Sequence, residues 1–281
     1  MEIIKTVSEM QKHSNDLRSS GKTIAFVPTM GFFHEGHLEL MRLGRKSAGI
    51  LVISIFVNPT QFGPSEDLAS YPQDPEGDMA KAKGAGVDIA FRPSPEEMYP
   101  EGFQSKVIVE KLTKHLCGLS RPGHFDGVAT VVTKLFNIVK PHMAIFGQKD
   151  YQQLAVIKRM VMDLNMDIDI ISAPTVREPD GLAMSSRNAY LNPEERKSAS
   201  CLKKSIDLAQ KMARKGERDT QKIKEVVESE ILRHPYTKID YIQLCNPLSL
   251  EEVRAMGDET LLALAVKVGE TRLIDNQVLR A

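Results

Sequence analysis

Thr23-Ile24-Ala25-Phe26-Val27-Pro28-Thr29-Met30-Gly31-Phe32-Phe33-His34-Glu35-Gly36-His37 is the stretch on which the fold of this chain turns. Its first five residues are β-branched or apolar with no charge, as in a strand buried on both faces of a sheet. A proline and a glycine break the run. From near Gly36, Leu38, Leu40, Met41 and Leu43 share an apolar face beside charged Glu39, Arg42, Arg45 and Lys46, the pattern of an amphipathic helix. Ile50 to Val57 is a second apolar run, so the helix reads as the crossover between two parallel strands. The segment Met30 to His37 then lies at the carboxyl end of a parallel strand, where open α/β sheets bind ligands.

A helix that starts there offers free backbone N–H groups and a positive dipole end to an anion such as a nucleotide phosphate. His34 and His37, three residues apart, can face the same ligand and donate imidazole N–H bonds to phosphate oxygens. Two other readings stay open at this point. The histidines could be incidental to a surface turn, or His34, Glu35 and His37 could hold a metal, although HExxH sites place their histidines at i, i+4 rather than i, i+3. Other nucleotide motifs fail on spacing. Gly21-Lys22-Thr23 has Asp16 where a P-loop has its first glycine, and Gly84-Ala85-Gly86 precedes a strand and reads as a helix cap.

Outward from this segment, Val87 to Phe91, Met143 to Phe146 and Ile168 to Ile171 read as further strands, and Val128 to Val139 and Leu154 to Leu164 as helices. This alternation predicts an α/β fold with a Rossmann-like parallel sheet domain. After Pro174 the character changes. A polar loop with Pro179, Gly181, Ser185, Ser186 and Asn188 leads into a charged helix from about Pro193 to Lys215. A helix from Thr220 to Arg233 and strands Ile239 to Leu244 and Leu261 to Val268 follow. The expected organisation is a domain of residues 1–176 and a smaller C-terminal α+β domain of residues 177–281.

The 281 residues carry 37 Lys plus Arg against 37 Asp plus Glu, which argues against the positive field of a dedicated nucleic-acid binder and for small substrates. Met1 is not followed by a basic segment and an apolar stretch, and no apolar run approaches the roughly 20 residues of a membrane span. Cys117, Cys201 and Cys245 are widely spaced without a CxxC pair, and read as buried reduced thiols. A cytoplasmic location, with no membrane partner, is the expectation.

Near the expected boundary stands Arg177-Glu178-Pro179-Asp180-Gly181-Leu182-Ala183-Met184-Ser185-Ser186-Arg187-Asn188. Met184 to Arg187 puts two hydroxyls and a guanidinium on one loop, donors suited to a triphosphate. An HxGH turn early in a Rossmann-like domain with a Met-Ser-Ser-Arg loop after it resembles the HIGH and KMSKS pair of the nucleotidyltransferase superfamily. Between the two stand Phe56-Val57-Asn58-Pro59-Thr60-Gln61-Phe62-Gly63, Ser120-Arg121-Pro122-Gly123-His124-Phe125-Asp126-Gly127-Val128 and Phe146-Gly147-Gln148-Lys149-Asp150-Tyr151-Gln152-Gln153. With Pro28-Thr29-Met30-Gly31 in front, this ordered set resembles the pantothenate synthetase family, the ligases of pantoate and β-alanine. The resemblance is dense from Pro28 to Asn192, and the C-terminal domain adds no comparable motif.

That resemblance implies ATP-dependent ligation of pantoate and β-alanine through a pantoyl adenylate, with release of AMP and pyrophosphate. A related nucleotidyltransferase that keeps the nucleotidyl product is the alternative. The resemblance implies ATP against Met30, Gly31, Phe32, Phe33, His34, Glu35, Gly36 and His37, with His34 and His37 at the phosphates and His37 as donor to the departing pyrophosphate. Gly147, Gln148, Lys149 and Asp150 follow, with Lys149 on a phosphate and Asp150 on the ribose. Val176 is expected at adenine, and Met184, Ser185, Ser186 and Arg187 over the triphosphate. The catalytic set is then His37, His34, Lys149 and Arg187. Gln61 matches the residue that holds pantoate beside the β-alanine entry, and Gln153 the second pantoate residue. Arg121 and His124 are candidates near the second substrate or the phosphates, or else frame a turn at Pro122-Gly123. ATP implies Mg²⁺; no metal ligand is assigned, and Asp78, a conceivable contributor, also reads as part of an acidic helix start. A homodimer is expected from the family.

Overall fold

A computed structural model of the chain describes residues 1–64 and 66–280. The described residues divide into two compact units. The first holds Met1–Val109, Arg121–Gln148 and Gln153–Pro174; the second holds Glu110–Ser120, Lys149–Gln152 and the chain from Thr175 onward.

In the first unit β1 (Glu2–Ile4), β2 (Ile24–Thr29), β3 (Ile50–Ile55), β4 (Ile89–Phe91), β5 (Met143–Gly147) and β6 (Asp169–Ala173) form one sheet in the order β1-β4-β3-β2-β5-β6. Every pairing is parallel, with Ile24 opposite Ile50 and Thr29 opposite Ile55. From β2 the chain steps to β3 and β4 on one side, then returns to β5 and β6 on the other. The reversal lies between β2 and β5, so the segments after these two strands, beginning at Met30 and Gln148, flank the crevice that a switch point creates.

Helix Glu35–Ser47 covers one face, where Met41 packs with Ala25, Val27, Leu51, Ile53 and Ile145, all fully buried. On β2 the alternate residue Phe26 meets the edge of Phe136 at 6.4 Å between centroids, and Phe136 meets Phe146 in the same way. Phe136 belongs to helix His124–Val139, most of whose residues are buried. A fully buried Phe such as Phe26 contributes about 1.5–3 kcal/mol over its exposed state, which holds the crossover helices to the strands that carry the loops.

Other elements of this unit escape the periodicity argument. β1 is a three-residue edge, and helix Val7–Ser19 buries only Met10 and Ser14 of its thirteen residues. Helix Pro75–Gly84 is capped by Asp74, whose side chain accepts from Gly77 N, and is followed by Gly86 at φ +79°. The acidic start and the glycine stop of this last helix were legible, and its role was not.

The second unit is α+β. β7 (Thr237–Cys245), β8 (Glu259–Val268) and β9 (Thr271–Arg280) form an antiparallel sheet in that order. Ile242, Leu244, Leu262, Leu264 and Val266 pack with Leu202, Ile206, Ile223 and Val227 from helices Cys201–Arg214 and Thr220–Leu232. The other face meets segments 110–120 and 149–152: Tyr241 Oη lies 3.2 Å from Cys117 Sγ, and Tyr151 Oη donates to Pro247 O at 3.2 Å. The single charged helix expected from Pro193 to Lys215 is two, Pro193–Ala199 and Cys201–Arg214. At the break, Ser200 Oγ donates to Lys197 O at 2.7 Å, a local bond that competes with the helical ladder. All three cysteines are free and buried, and burial pushes the Cys201 and Cys245 thiols up to about 12. No helix among the described residues is long and apolar enough to cross a membrane.

Candidate active site

The turn after β2 is built from two consecutive left-handed residues, Gly31 at φ +89° and Phe32 at φ +52°. For Phe32 that conformation costs about 1 kcal/mol, and two side chains from helix Pro75–Gly84 hold it in place. Asp78, 2% exposed, accepts from Phe32 N through Oδ2 and from Phe33 N through Oδ1, each at 2.7 Å. Lys81, one turn on, donates to Phe33 O at 2.9 Å. A Cβ on Gly31 would meet Asp78 Oδ2 at 3.0 Å and Ile55 Cγ2 at 3.2 Å, so the approach of that carboxylate as well as the positive φ requires glycine. Asp78 is thereby a backbone clamp, with both oxygens engaged inside the protein.

The two histidines close the next step of the chain on each other. His34 Nδ1 accepts from Gly36 N at 3.1 Å, and His37 Nδ1 accepts from His34 N at 3.3 Å, a reciprocal capping box made of imidazoles. Their ring centroids are 4.1 Å apart. An Nδ1 that accepts an N–H cannot carry the proton, so both neutral rings are Nε2–H tautomers and each is a donor at that atom. Glu35 turns outward to an ion pair with Arg42. The metal reading of His34, Glu35 and His37 therefore fails: the carboxylate points elsewhere and both Nδ1 atoms serve the backbone. The expected free amides are also spent internally. Gly31 N donates to Thr29 Oγ1, Phe32 and Phe33 to Asp78, His34 to His37, Gly36 to His34, and His37 to the His34 carbonyl. Beside these amides, each imidazole carries an N–H donor at Nε2.

Gln61 is brought to the same turn, with Nε2 3.3 Å from Met30 Sδ and Oε1 accepting from Asn58 Nδ2 at 3.0 Å. Asn58, 1% exposed, also donates to Gly127 O at 3.2 Å and accepts from Tyr99 Oη at 2.7 Å. Here helix His124–Val139 and the 3-10 turn Pro59–Gln61 come so close that a Cβ on Gly127 would stand 2.4 Å from Thr60 O. The Gln61 carbonyl accepts from His124 Nδ1 at 2.8 Å, while His124 Nε2 accepts from Arg121 Nη1 at 3.0 Å. Arg121 grips Glu66 with two bonds, Nε to Oε1 at 2.7 Å and Nη2 to Oε2 at 2.6 Å. Arg121 and His124 thus hold the Gln61 segment in place.

Burial alone would raise the Glu66 carboxyl, but the hydrogen bonds and charge of Arg121 outweigh it and leave the group below its ordinary 4.5. A carboxylate depressed in the folded state stabilises the protein above the unfolded value, and that contribution is lost as pH falls through the folded value. Glu66→Gln is expected to flatten the acid side of the stability profile, read as melting temperature between about pH 3 and 6. An unchanged acid slope would show that the Arg121 pair contributes nothing there.

The remaining candidates fall in both units. Gly147 ends β5 and Gln148 begins the 3-10 turn Gln148–Asp150. Lys149 and Asp150 belong to the second unit and face each other at 3.7 Å, Lys149 being the more buried. The two adjacent glutamines differ. Gln152 is 5% exposed, with its amide bonded to Cys117 N, Leu112 O and His115 O, whereas Gln153 is half-buried in the first unit. In the second unit Arg177 to Ala183 is a small hairpin, closed by Met184 N donating to Val176 O at 3.0 Å. Ser185 accepts from Arg187 N and starts the turn Ser186–Tyr190, with Ser186 buried. Among the described residues no three His, Cys, Asp or Glu side chains converge as a metal site.

A parallel sheet with a histidine-capped turn beside its switch point, and a Met-Ser-Ser-Arg loop farther along, defines a nucleotide-binding α/β enzyme. A family model described as pantoate-beta-alanine ligase matches residues 2–278. The pantothenate synthetase of Syntrophus aciditrophicus is 58% identical over 278 residues, 99% of this chain and 97% of the relative. The crystal structure of pantothenate synthetase from Thermus thermophilus superposes with a TM-score of 0.95 at 42% identity, covering both chains completely. That of the Francisella tularensis pantoate-beta-alanine ligase, complexed with beta-gamma ATP and beta-alanine, superposes at 0.82 with 33% identity, covering 99% of this chain and 97% of that one. The chain belongs to the pantoate–beta-alanine ligase family.

Proposed function

We propose that the protein joins pantoate to β-alanine at the expense of ATP, through a pantoyl adenylate. The observation that carries this reading is the imidazole capping box in a chain that matches the ligase family from end to end: two Nε2–H donors held at a switch-point turn. A carboxylate is a poor electrophile until one of its oxygens joins a good leaving group. In the first step a pantoate carboxylate oxygen attacks the α-phosphorus, the bond to the bridging oxygen of the β-phosphate breaks, and pyrophosphate leaves. In the second the β-alanine amine attacks the acyl carbon, loses a proton, and expels AMP.

The protein's task is alignment and charge stabilisation. His34 and His37 donate from Nε2 to phosphate oxygens, His37 to the departing pyrophosphate. Lys149, Ser185, Ser186 and Arg187 supply the further donors, Asp150 the ribose acceptor, and Val176 a backbone contact to adenine. Gly147 and Gln148 let the nucleotide approach the end of β5. Gln61, its amide orientation set by Asn58, and Gln153 hold pantoate, with β-alanine entering beside Gln61. Mg²⁺ enters with ATP as part of the substrate, held by phosphate oxygens and water. Asp78 is not assigned as its ligand, and each of its oxygens already accepts a backbone N–H bond. A cytoplasmic homodimer without nucleic-acid partners is the accompanying proposal.

With pantoate, β-alanine and ATP together, AMP and pyrophosphate should form in equal amounts, and pantoate alone should support exchange of labelled pyrophosphate into ATP. Formation of ADP and phosphate would overturn the adenylate mechanism. A stable adenylylated product that ignores β-alanine would favour a nucleotidyltransferase.

A further inference from the structure

The adjacent pair Asp275–Asn276 on β9 lies in none of the motifs that mark the family resemblance, yet it binds two segments to which ATP contacts are assigned above. Asp275 is 1% exposed and accepts from Arg177 twice, Nη1 to Oδ2 at 2.7 Å and Nη2 to Oδ1 at 2.9 Å. Arg177 Nη1 also donates to Gly181 O at 3.0 Å, across the hairpin whose far side runs into Met184, Ser185 and Ser186. The next side chain, Asn276, donates from Nδ2 to Lys149 O at 2.7 Å. The two anchors share an atom, because Asp275 Oδ1 also accepts from Asn276 N at 2.8 Å.

Successive residues of a strand point to opposite faces. Asp275, opposite Leu264, stands on the helix-covered face, and Asn276, opposite Ala263, on the face that carries residues 149–152. One dipeptide thus reaches both layers of the second unit. A buried carboxylate is a costly way to make a strand, and its bidentate partner is the residue directly after Val176.

We propose that Asp275 and Asn276 are positioning residues for adenylate formation, Asp275 fixing the Val176–Arg187 loop through Arg177, and Asn276 fixing Lys149 through its carbonyl. The proposal rests on the assignment of Lys149 and Ser185 to Arg187 to ATP.

The test uses the full-length enzyme with Asn276→Ala and the near-isosteric Asn276→Asp, which replaces the donor by a carboxylate oxygen. Each is expected to lower kcat/KM for ATP in pantoate-dependent pyrophosphate exchange about tenfold, the loss that accompanies one misplaced hydrogen bond. Aminolysis of preformed pantoyl adenylate by β-alanine, in a single turnover, should be spared, and the melting temperature should hold. Lys149→Ala combined with Asn276→Ala should be no slower than Lys149→Ala alone, because Asn276 acts through Lys149. Losses that multiply in the double variant, or fall equally on both half-reactions, would overturn the positioning role. So would wild-type ATP kinetics in both Asn276 variants beside a defective Lys149→Ala, and the ATP assignment would then stand. A fully active Lys149→Ala would sink that assignment and the proposal together.

Discussion

His37→Ala is expected to slow pantoate-dependent pyrophosphate exchange on the order of 10²–10³-fold, the usual loss when one preorganised donor to a developing oxyanion is removed. Pantoate affinity, measured by calorimetry on the free enzyme, should change less than about threefold. The substitution removes the Nε2 donor and also the Nδ1 that accepts from His34 N, so part of the loss comes from a loosened His34. His37→Asn separates the two effects. Its side-chain oxygen can take over the cap, since Asn is a good partner for helix-start amides, but its short amide does not reach where Nε2 stood. Asn should recover the stability that Ala loses and little of the rate. Equal losses in exchange and in pantoate binding would mean that His37 organises the fold rather than the chemistry.

Much of the fold was legible because β2, β3 and β5 are apolar on both faces and are spaced by helices of the right length. β9 was hidden for the opposite reason. Arg272, Asp275 and Asn276 interrupt the run because each meets a specific polar partner rather than water: Asp240 and Ser120, Arg177, and Lys149 O. Helix Val7–Ser19 was missed because so little of it is buried that no apolar face shows. In the site, the histidines at i and i+3 were visible as a pair, but not that each would cap the other's backbone. Whether amides at a helix start are free depends on side chains far along the chain. Asp78 comes from 45 residues beyond Phe33, and Glu66 meets Arg121 across 55. Asn58 had a local signal, since an Asn before a proline is a helix start, but its bond to Gly127 O depends on a helix 69 residues later. Such long-range bonds between polar side chains have no period, which is why the sequence offered candidate reacting residues and not the supports that hold them.

The largest stability effect should come from one of those supports. Asp78→Ala is expected to cost about 3–5 kcal/mol, since it takes the carboxylate from the buried Phe33 N and the half-buried Phe32 N, at about 1–3 kcal/mol for a lost buried bond, and leaves a small cavity. Phe33 itself is 3% exposed, so water has poor access to replace the carboxylate. The second consequence follows from position. His34 comes directly after Phe33, and without the carboxylate the left-handed Phe32 loses the larger part of the clamp, leaving Lys81 on the Phe33 carbonyl; relaxation there would turn the capping box away from its present orientation. Exchange activity should therefore fall at least about a hundredfold even well below the melting temperature. Asp78→Asn keeps one acceptor and sets an amide against the other N–H, so it should lie between wild type and Ala in melting temperature. Lys149→Ala is the contrasting case, with a large loss of activity and an unshifted melt. If Asp78→Ala melted like wild type and kept its exchange rate, the turn would be held without the carboxylate, by β2, helix Glu35–Ser47 and Lys81. A clamp that depends on Asp78 predicts the opposite, because the strand and helix on either side fix only the ends of a turn whose middle is strained.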